Sequence, residues 1–184
     1  MKRGILLIAL ISLLSPLASM GEGRYYAVSL SLFPYLSIPH YEDEIAVRTS
    51  GGGEASIGAL GYRTGPYDVS LEMRYRGTTA SIPHGFYRAR GFDSFGLDLR
   101  FAYQLKEKLA LSATLGSEIN FYRKVDHAFA SFSASIGGEY LLAQNPTYRL
   151  SLTFPLTVHL RKEITTVQTA VGLRYQLFPA KGGR

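Results

Sequence analysis

The stretch DSFGLDLRFAYQL, residues 93–105, decides the fold of this chain. From Phe95 to Leu105 its apolar and aromatic residues alternate strictly with small, polar or charged ones. Successive side chains of an extended strand point to opposite faces, so one face is wholly apolar and the other carries Asp98 and Arg100. Soluble strands are usually about 5–6 residues long, whereas a tilted strand that crosses a bilayer needs roughly 9–11. The stretch therefore predicts a membrane-spanning β-strand whose polar face meets an enclosed interior.

Seven further stretches repeat the alternation, and no helical period appears beyond the N-terminal region. The eight predicted strands lie at residues 24–35, 54–63, 67–76, 93–105, 109–121, 129–142, 148–161 and 165–178. The second is small and Gly-rich, so either of its faces could point outward. Proline cannot donate to a strand ladder, so we expect Pro34 to end the first strand and Pro155 to mark a bulge.

The connections between these strands alternate in length. Residues 39–53 and 77–92 are long, whereas 63–68 and 106–108 are tight turns. Outer-membrane barrels combine short periplasmic turns with longer outer loops. The pattern predicts an all-β fold, an eight-stranded antiparallel up-and-down transmembrane β-barrel.

The N-terminus predicts an export signal. Lys2 and Arg3 precede an apolar run at residues 5–14, and small residues follow as far as Gly21. A basic start, a short apolar core and a small-residue exit are typical of a secretory signal peptide, and the core is too short for a transmembrane helix. We therefore predict a signal peptide at residues 1–21 and one β-barrel domain at residues 22–184.

Composition excludes several classes of function. The chain has no cysteine, which rules out a disulfide scaffold, a thiol nucleophile and a Cys-ligated metal. The net charge of +6 is modest and no Lys/Arg run is present, so no nucleic-acid partner is predicted. No residue spacing indicates a metal site, and no cofactor is predicted.

A secreted soluble barrel of the lipocalin kind would show the same alternation with its apolar face inside. Three features favour the membrane alternative. The apolar faces from the third strand onward carry no charge, and no lysine after the signal falls on a polar strand face. Tyrosines also collect at the strand ends beside the tight turns, as expected of an aromatic girdle at the periplasmic interface. That predicted girdle consists of Tyr26, Tyr62, Tyr67, Tyr103, Tyr140, Tyr148 and Tyr175.

The last strand, AVGLRYQLF at residues 170–178, resembles the C-terminal assembly signal of bacterial outer-membrane barrels in the spacing of Gly172, Leu173 and Tyr175. It departs from that signal because six residues follow Phe178. As a pattern, the region after the signal peptide resembles the small OmpX/OmpW/OmpA-barrel type. The resemblance implies the bacterial outer membrane, contact with its lipid and delivery by the barrel-assembly machinery. We expect a monomer.

Charged residues on the polar faces are the first candidate site. The bases are all arginine, which pairs bidentately with carboxylates, and a narrow lumen requires each charge to be paired. The interpretation favoured is a charge plug, in which ion-paired side chains fill the lumen and leave no wide water channel. The alternative is an Arg–Glu gate that opens for small solutes. The predicted lumen charge network consists of Glu72, Arg74, Asp98, Arg100, Glu118, Glu139, Arg149 and Arg174.

The two long connections are the second candidate site, for an extracellular or host ligand. One is acidic and the other basic and aromatic, and exposed aromatic and Arg residues are common at binding surfaces. Two mutually attracting solvated loops are the simpler interpretation. The candidates are Tyr41, Glu42, Asp43, Glu44, Phe86, Tyr87, Arg88 and Arg90.

Three functions remain open from the sequence. The favoured one is a barrel without enzymatic activity that presents loops for envelope integrity, surface interaction or adhesion. The second is a narrow porin-like channel for small or hydrophobic solutes, of the OmpW kind. The third is a lipid-modifying enzyme, for which His40, His84, His127 and His159 are available but no local motif joins them to a serine.

Overall fold

The computed structural model describes residues 23–39, 48–78, 92–122, 128–161 and 164–179. These residues contain no helix long and apolar enough to cross a membrane. All strand pairings are antiparallel, and from β1 to β8 each strand pairs with the next. The strands are β1 (Arg24–Pro39), β2 (Arg48–Thr64), β3 (Tyr67–Thr78), β4 (Phe92–Lys106), β5 (Leu109–Tyr122), β6 (Ala128–Gln144), β7 (Tyr148–Leu160), β8 (Ile164–Thr169) and β9 (Val171–Leu177).

The sheet closes on itself because β1 pairs with β2 on one side and with both β8 and β9 on the other. β8 and β9 pair with the same two neighbours, β1 and β7, and in the same register. The two segments therefore form one barrel strand with a break between them. The break falls at Ala170, whose backbone N–H donates to the Pro155 carbonyl at 2.9 Å. Pro155 has no N–H to return that bond. The predicted eight-stranded, antiparallel, up-and-down barrel is therefore confirmed, but the bulge predicted at Pro155 is wrong.

Alternation of side chains gives the barrel an apolar outside and a polar inside. Leu32, Phe132 and Ile136 are 74%, 68% and 66% exposed on the outer surface. The buried residues are mostly polar or charged, with few large apolar side chains among them. This is the reverse of a soluble barrel, so the structure contradicts the lipocalin-like alternative. Such an outer surface is stable only against lipid.

The first two strands differ from the prediction. β1 runs through Pro34, which pairs with Gly51, and ends at Pro39, so the expected end at Pro34 is wrong. β2 begins at Arg48 rather than near residue 54. Proline can lie inside a strand where its missing N–H is not needed by the ladder. Both strands therefore extend further toward the long connections than alternation indicated.

The orientation of β2, which the sequence left open, is set by a bulge between Gly58 and Leu60. An extra residue in one strand reverses the phase of its alternation. Ile57 and Leu60 consequently both face outward although their positions differ by three, an odd number. Beside the bulge, a Cβ at Gly61 would overlap the ring of Tyr25, so glycine here makes room for a tyrosine inside the barrel.

The two ends of the barrel are distinct. The tight-turn end carries the turns at residues 65–66, 107–108 and 145–147, and the long-connection end carries the connections at 40–47 and 79–91. In the last tight turn, the Asn145 Oδ1 accepts hydrogen bonds from the backbone N–H groups of Thr147 and Tyr148 at 2.9 and 2.8 Å. A side-chain oxygen of this kind replaces a backbone acceptor and stabilises a short hairpin.

Candidate functional site in the lumen

Strand β3 contributes more charged side chains to the lumen network than any other strand described. Its inward side chains are Asp68, Ser70, Glu72, Arg74 and Arg76, in every second position, and all are buried. Because strand side chains alternate, this single strand stacks two acids and two bases along the barrel axis. The remaining strands bring partners to each level, so the network divides into three contact groups.

The first group centres on Arg76, which is only 1% exposed. Its Nη2 lies 2.6 Å from Glu118 Oε1 on β5, and its Nη1 donates to Gln168 Oε1 on β8 at 3.1 Å. Nη1 also lies 2.6 Å from His159 Nε2 on β7, and His159 Nδ1 lies 3.1 Å from Glu118 Oε1. These contacts join four barrel strands across the lumen.

The geometry fixes the tautomer of His159. Arginine can only donate, so Nε2 must accept from Arg76, and Nδ1 then carries the proton that it donates to Glu118. Among the described residues no serine, threonine or tyrosine hydroxyl bonds to this ring, since Arg76 and Glu118 occupy both nitrogens. His159 is thus a link between Arg76 and Glu118 in the network.

The second group lies around Arg74. This side chain contacts three carboxylates: Asp98 at 3.2 Å, Glu118 at 3.3 Å and Glu54 at 3.8 Å. Its Nη2 also donates to Ser133 Oγ at 2.9 Å. A single guanidinium therefore connects strands β2 to β6 at mid-barrel.

The third group joins the middle of the lumen to the tight-turn end. Arg174 reaches across from β9 to Glu72 Oε1 at 2.6 Å. Arg100 lies 3.3 Å from Asp68 and also bonds Glu139. Tyr25 donates its hydroxyl proton to Asp68 as well. The buried charges of these three groups are tolerated because each has a partner of opposite sign.

All eight residues of the predicted lumen charge network are buried inside the barrel. Seven of them form ion pairs with one another or with Asp68, Arg76, Glu54 or His159. Arg149 differs, since its bond is to the amide oxygen of Gln104 at 2.6 Å. Taken together, the contacts make a cross-linked polar interior.

Four members of this network are absent from the predicted one: Tyr25, Glu54, Asp68 and Arg76. The polar face of the seventh predicted strand placed His159 inward, but it assigned that residue no partner. Arg76 lies on the polar face of the third predicted strand, so the alternation of that strand was the signal that could have found it. Asp68 and Tyr25 lie at strand ends, where alternation alone does not separate a strand residue from a turn residue. Among the described residues no cluster of three metal-ligating side chains occurs.

The seven tyrosines of the predicted girdle lie in strand segments next to the tight-turn end. Six of them are clearly exposed on the outer surface, and Tyr148 is partly covered. The rings of Tyr67 and Tyr103 lie 5.3 Å apart, and those of Tyr148 and Tyr175 stack at 5.8 Å. Their spacing suits an interface between lipid and water, where one part of each ring is apolar and the hydroxyl is wet.

The loop candidates Tyr41, Glu42, Asp43, Glu44, Phe86, Tyr87, Arg88 and Arg90 lie outside the described residues. The same holds for the predicted signal peptide at residues 1–21 and for His40, His84 and His127.

Comparison with known proteins supports the fold. No protein-family model matches the chain, and no curated protein matches its sequence. Among solved structures, Ail, the attachment invasion locus protein of Yersinia pestis, in complex with the heparin analogue sucrose octasulfate, superposes with a TM-score of 0.56 at 9% identity. That match covers 84% of this chain and 99% of Ail. Neisserial surface protein A gives a TM-score of 0.53 at 12% identity over 81% of this chain and 95% of its own.

At these identities the likeness concerns the fold alone. The chain has the eight-stranded transmembrane β-barrel fold of small outer-membrane proteins, which confirms the resemblance found in the sequence at the level of architecture.

Proposed function

We propose that this chain is a monomeric bacterial outer-membrane β-barrel without enzymatic activity, closed by the charges of its lumen and acting through the connections at its long-connection end. Residues 1–21 direct its export, and the strand at residues 170–178 presents it to the barrel-assembly machinery. The exposed outer surface contacts outer-membrane lipid, and the tyrosines at the tight-turn end face the periplasm.

One observation carries the proposal for a closed lumen. Arg76, Glu118 and His159 are almost completely buried and meet in the lumen from three different strands, with Gln168 from a fourth. An eight-stranded barrel has an interior just wide enough for side chains. Side chains that meet across such an interior fill the cross-section that a solute would need.

The surface role follows from the same architecture. If no solute passes through the closed lumen, the outer connections are the part of the barrel that meets extracellular molecules. The acidic segment at Tyr41–Glu44 and the aromatic and basic residues Phe86, Tyr87, Arg88 and Arg90 provide opposite charges for an extracellular ligand, for adhesion or for envelope integrity.

Planar-bilayer conductance of the refolded protein tests the closed lumen. The native chain should be silent. A double variant, Arg76→Ser with Glu118→Ser, removes one guanidinium and one carboxylate together and should pass small ions. Ser135→Ala, an uncharged inward position on β6, is the matched control and should remain silent.

Discrete openings of the native chain would overturn the closed lumen and support the narrow porin-like channel instead. Two further measurements complete the test. Membrane fractionation of an expressing bacterium should place the chain with the outer membrane. Mass analysis of lipid A from the same cells should show no change, and a modified lipid would contradict the absence of enzymatic activity.

A further inference from the structure

The opening of the lumen at the tight-turn end, here called the mouth, contains a small polar cavity of about 10 Å³. That volume is close to what one water molecule needs. The cavity is partly open to solvent, and its polar lining comes from six barrel strands. These lining residues are Arg63, Asp68, Gln104, Glu139, Arg149 and Gln176.

Two arginines of this mouth differ from the other lumen arginines. Arg74, Arg76, Arg100 and Arg174 each lie within 4.0 Å of a carboxylate oxygen. Within the part of the chain that the structure describes, Arg63 and Arg149 have no such carboxylate. Both instead donate to a single neutral acceptor, the Oε1 of Gln104, at 3.4 and 2.6 Å respectively.

Gln104 is held in that orientation by the neighbouring turn. Its Nε2 donates to the carbonyl of Glu107 at 3.0 Å, which directs Oε1 toward the two guanidinium groups. An amide oxygen therefore occupies the place where an ion pair would require a carboxylate. Arg149 is 5% exposed. Its Nε has no hydrogen-bond partner among the described residues, a property that it shares with Arg74 and Arg174, so the difference lies in the missing carboxylate. A guanidinium that is buried without a counter-charge is costly.

The carboxylates of the mouth are already engaged. Asp68 bonds Arg100 and Tyr25 through Oδ1 and accepts from Gln176 at 2.8 Å through Oδ2. Glu139 also bonds Arg100. Three guanidinium groups, those of Arg63, Arg100 and Arg149, thus face two carboxylates, and the mouth has one positive charge in excess.

We propose that this mouth binds a small oxyanion, a phosphate or a carboxylate group, between Arg63 and Arg149. A guanidinium presents a planar fork of donors that matches such groups. Arg63 is only half-buried and its bond to Gln104 is long, so it can swing outward to admit the anion. The anion then supplies the counter-charge that Gln104 lacks.

The site is distinct from the proposed closure of the lumen, because Arg63 and Gln104 lie at the mouth, away from Arg76 and Glu118. It also differs from the outer connections. It faces the compartment at the tight-turn end, so its ligand is an anion dissolved in that compartment.

Titration of the refolded protein in detergent micelles tests the proposal. Inorganic phosphate and acetate are added in separate series at constant ionic strength, and calorimetry and the NMR signals of the arginine Nε–H groups report binding. Saturable binding of phosphate, acetate or both supports the site and identifies the oxyanion. Binding of neither overturns it.

Three variants separate the site from general surface charge. Gln104→Glu builds the missing carboxylate into the chain, so it should weaken anion binding at least about tenfold, the loss expected for one charge-assisted bond, and raise the unfolding temperature. Arg63→Gln should weaken binding similarly without the rise in stability. Lys108→Gln, an exposed cation in a turn at the same end, should leave binding unchanged.

Two results would contradict the site. One is anion binding by Gln104→Glu as tight as that of the native chain. The other is a loss in Lys108→Gln equal to that in Arg63→Gln, which would indicate unspecific attraction to the basic rim. Gln104→Glu and Arg63→Gln avoid the most buried arginines of the network, so loss of folding does not obscure either result.

Discussion

Replacement of Glu118 by glutamine should lower the free energy of unfolding strongly, although it exchanges only one carboxylate oxygen for an amide nitrogen. The Glu118 side chain is fully buried and its Oε1 lies 2.6 Å from Arg76 and 3.1 Å from His159. The same oxygen accepts from Ser131 at 2.7 Å, and Oε2 lies 3.3 Å from Arg74. Glutamine keeps the shape but removes the charge that two guanidinium groups share. Removing one partner of a buried ion pair costs about 3–5 kcal/mol, and retained hydrogen bonds place the change near the lower value.

The assay is urea unfolding in detergent or vesicles, followed by gel mobility and extrapolated to water. Glu54→Gln is the matched control, because its carboxylate also faces the lumen but lies 3.8 Å from Arg74 and is 19% exposed. Such a weak, partly exposed pair contributes less than about 1 kcal/mol. Equal unfolding midpoints for Glu118→Gln and the native chain, or equal losses in the two variants, would refute the ion-pair argument.

Three further perturbations test other parts of the structure. Arg100→Ala leaves Glu139 without its guanidinium, so a heat-modifiability gel should show a lower unfolding temperature, and an unchanged one would contradict the pairing. Leu115→Arg places a charge on the lipid face, and refolding equilibria in vesicles should show a loss of about 2–4 kcal/mol, whereas no loss would mean that the position avoids lipid. Gly116→Ala adds a Cβ that overlaps Asp98, and denaturant unfolding should report a loss of about 1–3 kcal/mol, with native stability as the contradictory result.

Alternation predicted the strands, and the connection lengths, the uncharged apolar faces and the tyrosine positions selected the membrane barrel over a soluble one. Residues 93–105 predicted β4, and the structure places Phe95 and Leu97 outside and Asp98 and Arg100 inside. The prediction succeeded because a barrel wall imposes a period of two over many residues, which few other folds share.

The parts that the sequence could not predict are those where this period breaks or where partners come from distant strands. The bulge between Gly58 and Leu60 follows from the register with neighbouring strands, which no single strand encodes. The contact of Arg76 with His159 joins residues 83 positions apart. Likewise, Arg63 and Arg149 meet the neutral Gln104 because three separate strands bring these side chains to the same height along the barrel axis. The sequence of one strand does not contain that information.

The lipid-facing surface allows the most direct test of the central claim, because the chain contains no tryptophan. Single tryptophans at Leu115 and Ile136, both strongly exposed in mid-strand, and at Lys108 in a tight turn would each report their own surroundings. In vesicles of lipids brominated near the bilayer centre, tryptophan fluorescence should be strongly quenched at positions 115 and 136 and little at position 108. Unquenched fluorescence at 115 and 136 in a folded chain would place those side chains in a protein interior and contradict the transmembrane barrel.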